Sequence, residues 1–294
     1  MRMRRIIIAL GGLALLLQAC TVGPDYHKPE IASPVAFKEA PEGWKIATPN
    51  NGEERGPWWE VYEDPLLDEL AARVAINNQN LKAYEAAYRQ AQAIVREARA
   101  NLYPTATASP GVSRARSYNV TATTQTAEVG VSWDPDLWGE VRRQIESDTA
   151  GAQASAALLA DLTLSAQAEL VTDYMNLRYQ DSLTRLLNDT VRSYERSLAI
   201  TRNQYDAGTA ARSDVITAQT QLASTRASAI AAGQLRAQYE HAIALLIGEA
   251  PANLTIPPAE LAQSVPESPL FVPSALLERR PDIAQAERTM QQQN

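Results

Sequence analysis

Seventeen prolines punctuate this chain of 294 residues, yet none falls between Asp136 and Ala250. An interior proline costs a helix about 3 kcal/mol, so an alanine-rich gap of that length predicts helix. The pattern holds from Glu140 to Ala207, and at about 1.5 Å per residue such a helix reaches on the order of 100 Å if unbroken. No globular core is that thick, so the rod must lie along other long helices. Its seam is clearest at Leu187, Val191, Tyr194, Leu198, Thr201 and Tyr205, which step by four and three residues in turn. Gly208 is placed to end this helix, because a glycine just past the last turn takes the left-handed conformation cheaply. Ser213 is expected to cap the next helix through its hydroxyl. So short a connection folds the second helix back antiparallel. The returning helix carries the strictest heptad spacing: Val215, Ala218, Leu222, Thr225, Ala229, Ala232, Arg236, Tyr239, Ile243 and Leu246. Gly248 and Pro251 close it.

The remaining prolines mark the other divisions. Seven lie between Pro24 and Pro65, in sequence that reads as an extended tether, and seven more run from Pro251 to Pro281. Between them, Leu66 to Asn101 forms a first helical block with a break expected near Asn77-Asn78-Gln79-Asn80. Its second part repeats the heptad seam at Leu81, Tyr84, Tyr88, Ala91, Val95, Ala98 and Leu102. The period then changes. Ala127, Val129, Val131 and Trp133 alternate with Thr126, Glu128, Gly130 and Ser132, a two-residue repeat that predicts strand. Ala106, Ala108 and Val112 alternate more weakly, with Pro110 and Gly111 as an expected interruption and Ser117 to Thr124 as an expected turn. Two strands of about ten residues match a tilted crossing of a bilayer, with an apolar face for lipid and a small polar face for water. On the strands alone, half of a soluble sandwich fits equally well.

The first twenty residues read as an address. Arg2, Arg4 and Arg5 precede an apolar run from Ile6 to Leu17, too short for the roughly 20 residues of a spanning helix. The only cysteine, Cys20, closes that run. Composition removes several function classes. A net charge of -7 disfavours nucleic acid, and 21% charged residues argue against a bundle of membrane helices. One cysteine and two histidines, His27 and His241, leave little from which to build a metal centre. No phosphate-binding loop, dinucleotide fingerprint or nucleophile–base pairing is present. Asp134 and Asp136 around Pro135 read as a cap at a strand-to-helix junction.

Taken in order, these residues resemble the TolC-like outer-membrane efflux factors, in their lipoprotein (OprM- and NodT-type) branch. The resemblance rests on Leu17-Gln18-Ala19-Cys20, Cys20 through Tyr26, Trp58-Trp59, and Asp64-Pro65-Leu66. It continues through Ser132-Trp133, Asp136-Leu137-Trp138-Gly139, Tyr205-Asp206-Ala207-Gly208 with Asp214-Val215, and Arg279-Arg280-Pro281-Asp282-Ile283 with Ala286-Glu287. It implies a mainly α fold: long antiparallel coiled-coil helices plus a two-stranded membrane β segment, half of an efflux-protein protomer. The divisions it implies are a lipoprotein signal peptide at 1–19, a lipid-anchored tether at 20–65 and a helical segment at 66–103. Two transmembrane strands follow at 104–135, then the helical hairpin of a periplasmic tunnel at 136–250. Residues 251–294 form a linker and the start of a second repeat, where Ile283 and Glu287 correspond to Leu81 and Glu85. The sequence is therefore expected to be partial or truncated; a two-strand lipoprotein assembling as a hexamer is the alternative.

The resemblance also implies the functional residues. Cys20 is acylated, with palmitate among its lipids, and Thr21 after it favours the outer membrane. No other cofactor is expected, and no catalysis: the chemistry is passive conduction. Gly208, Thr209, Ala210 and Asp214 form the turn that meets a periplasmic adaptor (membrane fusion) protein, itself joined to an inner-membrane pump. Trp133 and Trp138 are expected either at the membrane interface or packed at the barrel-to-tunnel joint. Trp58 and Trp59 are expected to pack the tether onto the helices. Glu169 and Asp173 fit either a tunnel wall or a solvated face. The full-length assembly is a homotrimer in outer-membrane lipid, with no nucleic-acid partner. The leading function is the outer-membrane channel of a tripartite, RND-type efflux system, a passive exit for drugs or small toxic compounds. A structural periplasmic coiled-coil lipoprotein and a protein-secretion duct are the alternatives.

Overall fold

A computed structural model describes residues 22–28, 56–118, 120–261 and 280–294. The expected signal peptide, the acylated Cys20, most of the tether and the 262–279 linker lie outside the described residues. The chain divides into two compact units, one of residues 1–34, 84–159 and 277–294, the other of residues 35–83 and 160–276.

In chain order, a 3₁₀ turn at Trp58–Tyr62 leads into α1 (Pro65–Asn77) and α2 (Gln79–Ala100). The strands β1 (Thr105–Ser117) and β2 (Val120–Ser132) follow, then α3 (Glu140–Asp206), α4 (Arg212–Leu246), a 3₁₀ turn at Pro251–Asn253 and α5 (Pro281–Gln293). The Asp-Pro pair starts α1 as its chemistry dictates: Asp64 Oδ1 accepts from the amides of Leu66 and Leu67 at 3.0 and 3.3 Å, while Pro65 needs no partner. The expected break falls at Asn78. Its amide closes α1 on Val74, and its side-chain oxygen caps α2 by accepting from Asn80 and Leu81 at 2.9 and 3.2 Å.

Both strands run to 13 residues, longer than the sequence pattern suggests. Pairing is continuous and antiparallel from Thr105↔Ser132 to Ser117↔Val120. The Ser117–Thr124 segment is therefore strand from Val120 onward, not a turn, because its threonines are β-branched and keep the pairing. Pro110 does not interrupt β1 either; it sits opposite Ala127, and its missing N–H leaves the pairing with β2 continuous. The reversal is confined to the tip, where Tyr118 takes a φ of 43°.

Within the second unit, the core gathers Trp59, Leu67, Leu70 and Val74 with Leu170, Tyr174 and Leu177 of α3, Ile243 of α4 and Ile247 just past its end. Every one of the ten heptad positions of α4 is buried or half-buried. The first unit packs on small residues, Ala150, Ala152 and Ala154 among them. There a side chain at Gly151 would meet the Gln292 amide of α5 at 2.8 Å.

Candidate functional site

Three regions carry the residues singled out by sequence. The first is the strand-to-helix junction. Asp136 caps α3: its carboxylate accepts from the amides of Val141 and Arg142 at 3.2 and 3.1 Å and from the Arg142 guanidinium at 3.1 Å. Burial works against its ionisation, but these hydrogen bonds outweigh it and hold its pKa below the usual carboxylate value. Gly139, at a φ of 83°, turns the chain into the helix. Trp133 donates from its indole to the Leu102 carbonyl at 3.3 Å, and both Trp133 and Trp138 remain 59% exposed.

Against this junction lies the Val22–Tyr26 segment. Val22 donates to the Trp138 carbonyl at 3.0 Å. Arg143, one turn into α3, then gathers the segment. Its guanidinium donates to the carbonyls of Val22 and Gly23 at 3.0 and 3.3 Å and to the carboxylates of Asp25 and Glu146, each at 2.7 Å. The hydrogen bond from Arg143, followed by its charge, lowers the Asp25 pKa. Tyr26 donates to Glu287 of α5 at 3.4 Å, and Asn294 donates to the Pro24 carbonyl at 3.1 Å. Sequence reasoning took Val22–Tyr26 as a signature but did not find Arg143, whose partners in that segment are over a hundred residues away.

The second region is the α3–α4 turn. Gly208 adopts a φ of 68°, and its amide donates to Tyr205. The amide and hydroxyl of Thr209 both donate to the Gln204 carbonyl, at 2.8 and 3.0 Å, and Ala210 joins them at 3.3 Å. Ser213 does not cap α4. The helix begins at Arg212, and Asp214 instead reaches back, its carboxylate accepting from the Ala211 amide at 3.0 Å. A serine inside the first turn has already passed the position where its hydroxyl could act as the cap. The backbone of Gly208, Thr209 and Asp214 is thus ordered by the turn's own groups, and all three residues are exposed.

The third region is a polar chain inside the second unit. Arg178 donates to the Tyr174 hydroxyl at 2.8 Å and to the Pro257 carbonyl at 2.8 Å, and its guanidinium stacks 4.7 Å above the Tyr174 ring. Asp181 accepts from Arg178 at 3.3 Å, from Arg236 at 2.6 Å and from the Ala259 amide at 3.1 Å. Arg236 and Glu240 together bind the backbone of Ile256 through its carbonyl and amide. Extended chain at 256–259 is thereby clamped across α3 and α4. Trp58 and Trp59 meet edge-to-face at 5.9 Å, with Trp59 in the core. Asp173 is half-buried; burial, and then the charge of Glu169, raise its pKa. His27 and His241 are both exposed. Among the described residues no group of three or more metal-binding side chains gathers, and no described helix is long and apolar enough to cross a membrane.

Residues 70–249 match the family described as outer membrane efflux protein. The chain belongs to that family. It is 29% identical to the probable efflux pump outer membrane protein TtgC of Pseudomonas putida, over 99% of this chain and 62% of that protein. It is 30% identical to nodulation protein T of Rhizobium leguminosarum biovar trifolii, over 94% of this chain and 60% of that one. Among solved structures it resembles the outer-membrane channel OprN, with a TM-score of 0.78 and 30% identity, over 93% of this chain and 62% of OprN. The chain thus spans about three fifths of the length of these relatives.

Membership of the outer membrane efflux proteins gives meaning to a second set of exposed residues. On α4, Ile216, Ala223 and Ile230 recur every seven residues beside the buried seam, and all three are exposed. Leu186, Ser193 and Ile200 repeat the spacing on α3, again exposed. Each helix thus carries a second, exposed stripe beside its buried seam. The signal was present in the sequence as a heptad offset by one from the first.

Proposed function

We propose that this chain forms part of the wall of an outer-membrane exit duct, the passive end of a tripartite efflux system for small toxic compounds. The observation that carries the reading is the hairpin of two 13-residue strands joined, within the short Trp133–Gly139 junction, to a helix of 67 residues. Its cross-strand register puts Ala106, Ala108, Pro110 and Val112 with Ala127, Val129 and Val131 on one face, and Thr105, Thr107, Ser109 and Gly111 with Thr126, Glu128 and Gly130 on the other. Such a ribbon suits lipid on one side and water on the other, pooled with further strands, because two strands cannot hide their edges. The exposed second heptad stripes on α3 and α4 support packing against further long helices.

In this reading Trp133 and Trp138 mark the periplasmic interface of the outer membrane, where an apolar ring with one N–H donor is favoured. Cys20, acylated, anchors the chain in outer-membrane lipid. Gly208, Thr209, Ala210 and Asp214 face a periplasmic adaptor bound to an inner-membrane pump, and the duct is a homotrimer. Energy comes from the pump; this chain supplies shape and a polar lining.

The test is conductance. The protein expressed from its own locus, purified from outer membranes and placed in a planar bilayer, is expected to give discrete ion-conducting steps. Stable insertion with no conductance would instead support a structural coiled-coil lipoprotein. Replacement Cys20→Ser is expected to abolish metabolic labelling by palmitate and leave the helix content unchanged.

A further inference from the structure

The outer half of the β hairpin differs in charge from the rest of the molecule. The chain carries 34 acidic residues against 27 lysines and arginines, yet no acidic residue occurs between Glu97 and Glu128, a stretch that holds Arg114 and Arg116. The register places both arginines on the apolar side of the ribbon. Arg114 pairs with Thr123 and Arg116 with Thr121, on the face that carries Ala106, Ala108 and Val112 nearer the junction. The nearest acidic group on either strand, Glu128, pairs with Ser109 on the opposite face.

Their height on the strand is informative. At about 3.3 Å per residue and a tilt of about 40°, Arg114 stands roughly 23 Å above Thr105 and Arg116 roughly 28 Å. The apolar band of an outer-membrane barrel is about 25 Å tall. With Trp133 at the near interface, the two arginines bracket the far one. Side chains that leave an apolar band there meet lipid headgroups, and a guanidinium matches a phosphate in a bidentate fork.

We propose that Arg114 and Arg116 form a binding surface for phosphorylated headgroups of the outer-leaflet lipid. This rests on the transmembrane reading of the hairpin given above. Phosphate binding fixes how far the ribbon rises through the membrane, with Tyr118 fully exposed at the tip beyond it.

The test uses the purified chain in mixed micelles of phosphatidylcholine and detergent, doped with either diphosphoryl or monophosphoryl lipid A. The chain is expected to bind the diphosphoryl form more tightly, and the double variant Arg114→Gln/Arg116→Gln to lose roughly thirtyfold of that affinity. Inorganic phosphate at equal phosphate concentration is expected not to compete, because the surface recognises a headgroup held at a membrane. Undiminished binding by the double variant, or equal binding of the two lipids, overturns the proposal. A Val129→Trp variant separates this failure from failure of the membrane reading. Quenching of its added fluorescence by brominated lipid is expected, and no quenching removes the transmembrane hairpin and the headgroup surface together.

Discussion

The Tyr174 hydroxyl donates a hydrogen bond of 2.5 Å to Asp64 Oδ2, the same carboxylate whose other oxygen caps α1. One side chain therefore starts a helix and ties it to α3, 110 residues further along. Burial first, and the acceptor Asp64 second, push the Tyr174 pKa up to about 12.

Two outcomes follow from that link. Tyr174→Phe leaves Asp64 short of a partner and is expected to destabilise the second unit by about 1–3 kcal/mol, measured by urea unfolding. The phenol is favoured neutral in the folded state, so its contribution is complete below pH 10.0 and is lost as pH rises toward 12. Wild type is expected to lose stability across that window more steeply than Tyr174→Phe; parallel curves would show that the hydroxyl is not so held.

Asp173 has the opposite consequence at neutral pH. Its raised pKa means that the folded state favours the protonated acid, so ionisation above the carboxylate range costs stability. Asp173→Asn is expected to raise Tm at pH 7, by the equivalent of about 0.5 kcal/mol from relief of the Glu169 repulsion alone. At pH 3, where the acid is already neutral, the difference should vanish.

Gly248 holds a left-handed φ of 71°, and a Cβ there would stand 2.3 Å from the Asn77 carbonyl oxygen. The obstacle is backbone, which cannot rotate away. Gly248→Ala is expected to cost about 2 kcal/mol or more, read as a lowered urea midpoint. Alanine at Gly233, where an added Cβ would meet nothing within 4 Å, is the control and should be neutral or stabilising.

Arg143 makes a different kind of contribution. Arg143→Ala removes the four contacts to Val22, Gly23, Asp25 and Glu146. Its partners are largely exposed, so the global Tm should barely move. Hydrogen exchange at the Val22 amide, bonded to Trp138, is expected to speed up. Unchanged exchange would mean that the segment is held without the guanidinium.

Much of the helical architecture was legible because it obeys a period. The seam from Val215 to Leu246 is buried or half-buried at every position, and α3 runs unbroken from Glu140 to Asp206, as a proline-free span requires. The break at Asn78 and the left-handed Gly208 were equally visible, since each follows from one residue's local chemistry. Local reasoning failed where pairing overrode composition. Ser117–Thr124 looks like a turn by its polarity, yet Val120–Thr124 belongs to β2 because each residue has a partner across the ribbon. Ser213 looks like a cap by its type, but the helix starts one residue earlier and Asp214 serves.

Sequence alone determined the long helices and the face that α4 buries, because a helix period is written in consecutive residues, whereas the expected seam residues Tyr84, Leu102 and Tyr205 are exposed. Only the tertiary structure decided which distant groups meet: Asp64 with Tyr174, Asp181 with Arg236, Arg143 with Val22 through Asp25. Those pairings depend on how three or more elements are packed, and a hydrogen bond's worth is set by the burial and geometry that packing creates. No spacing along the chain encodes that.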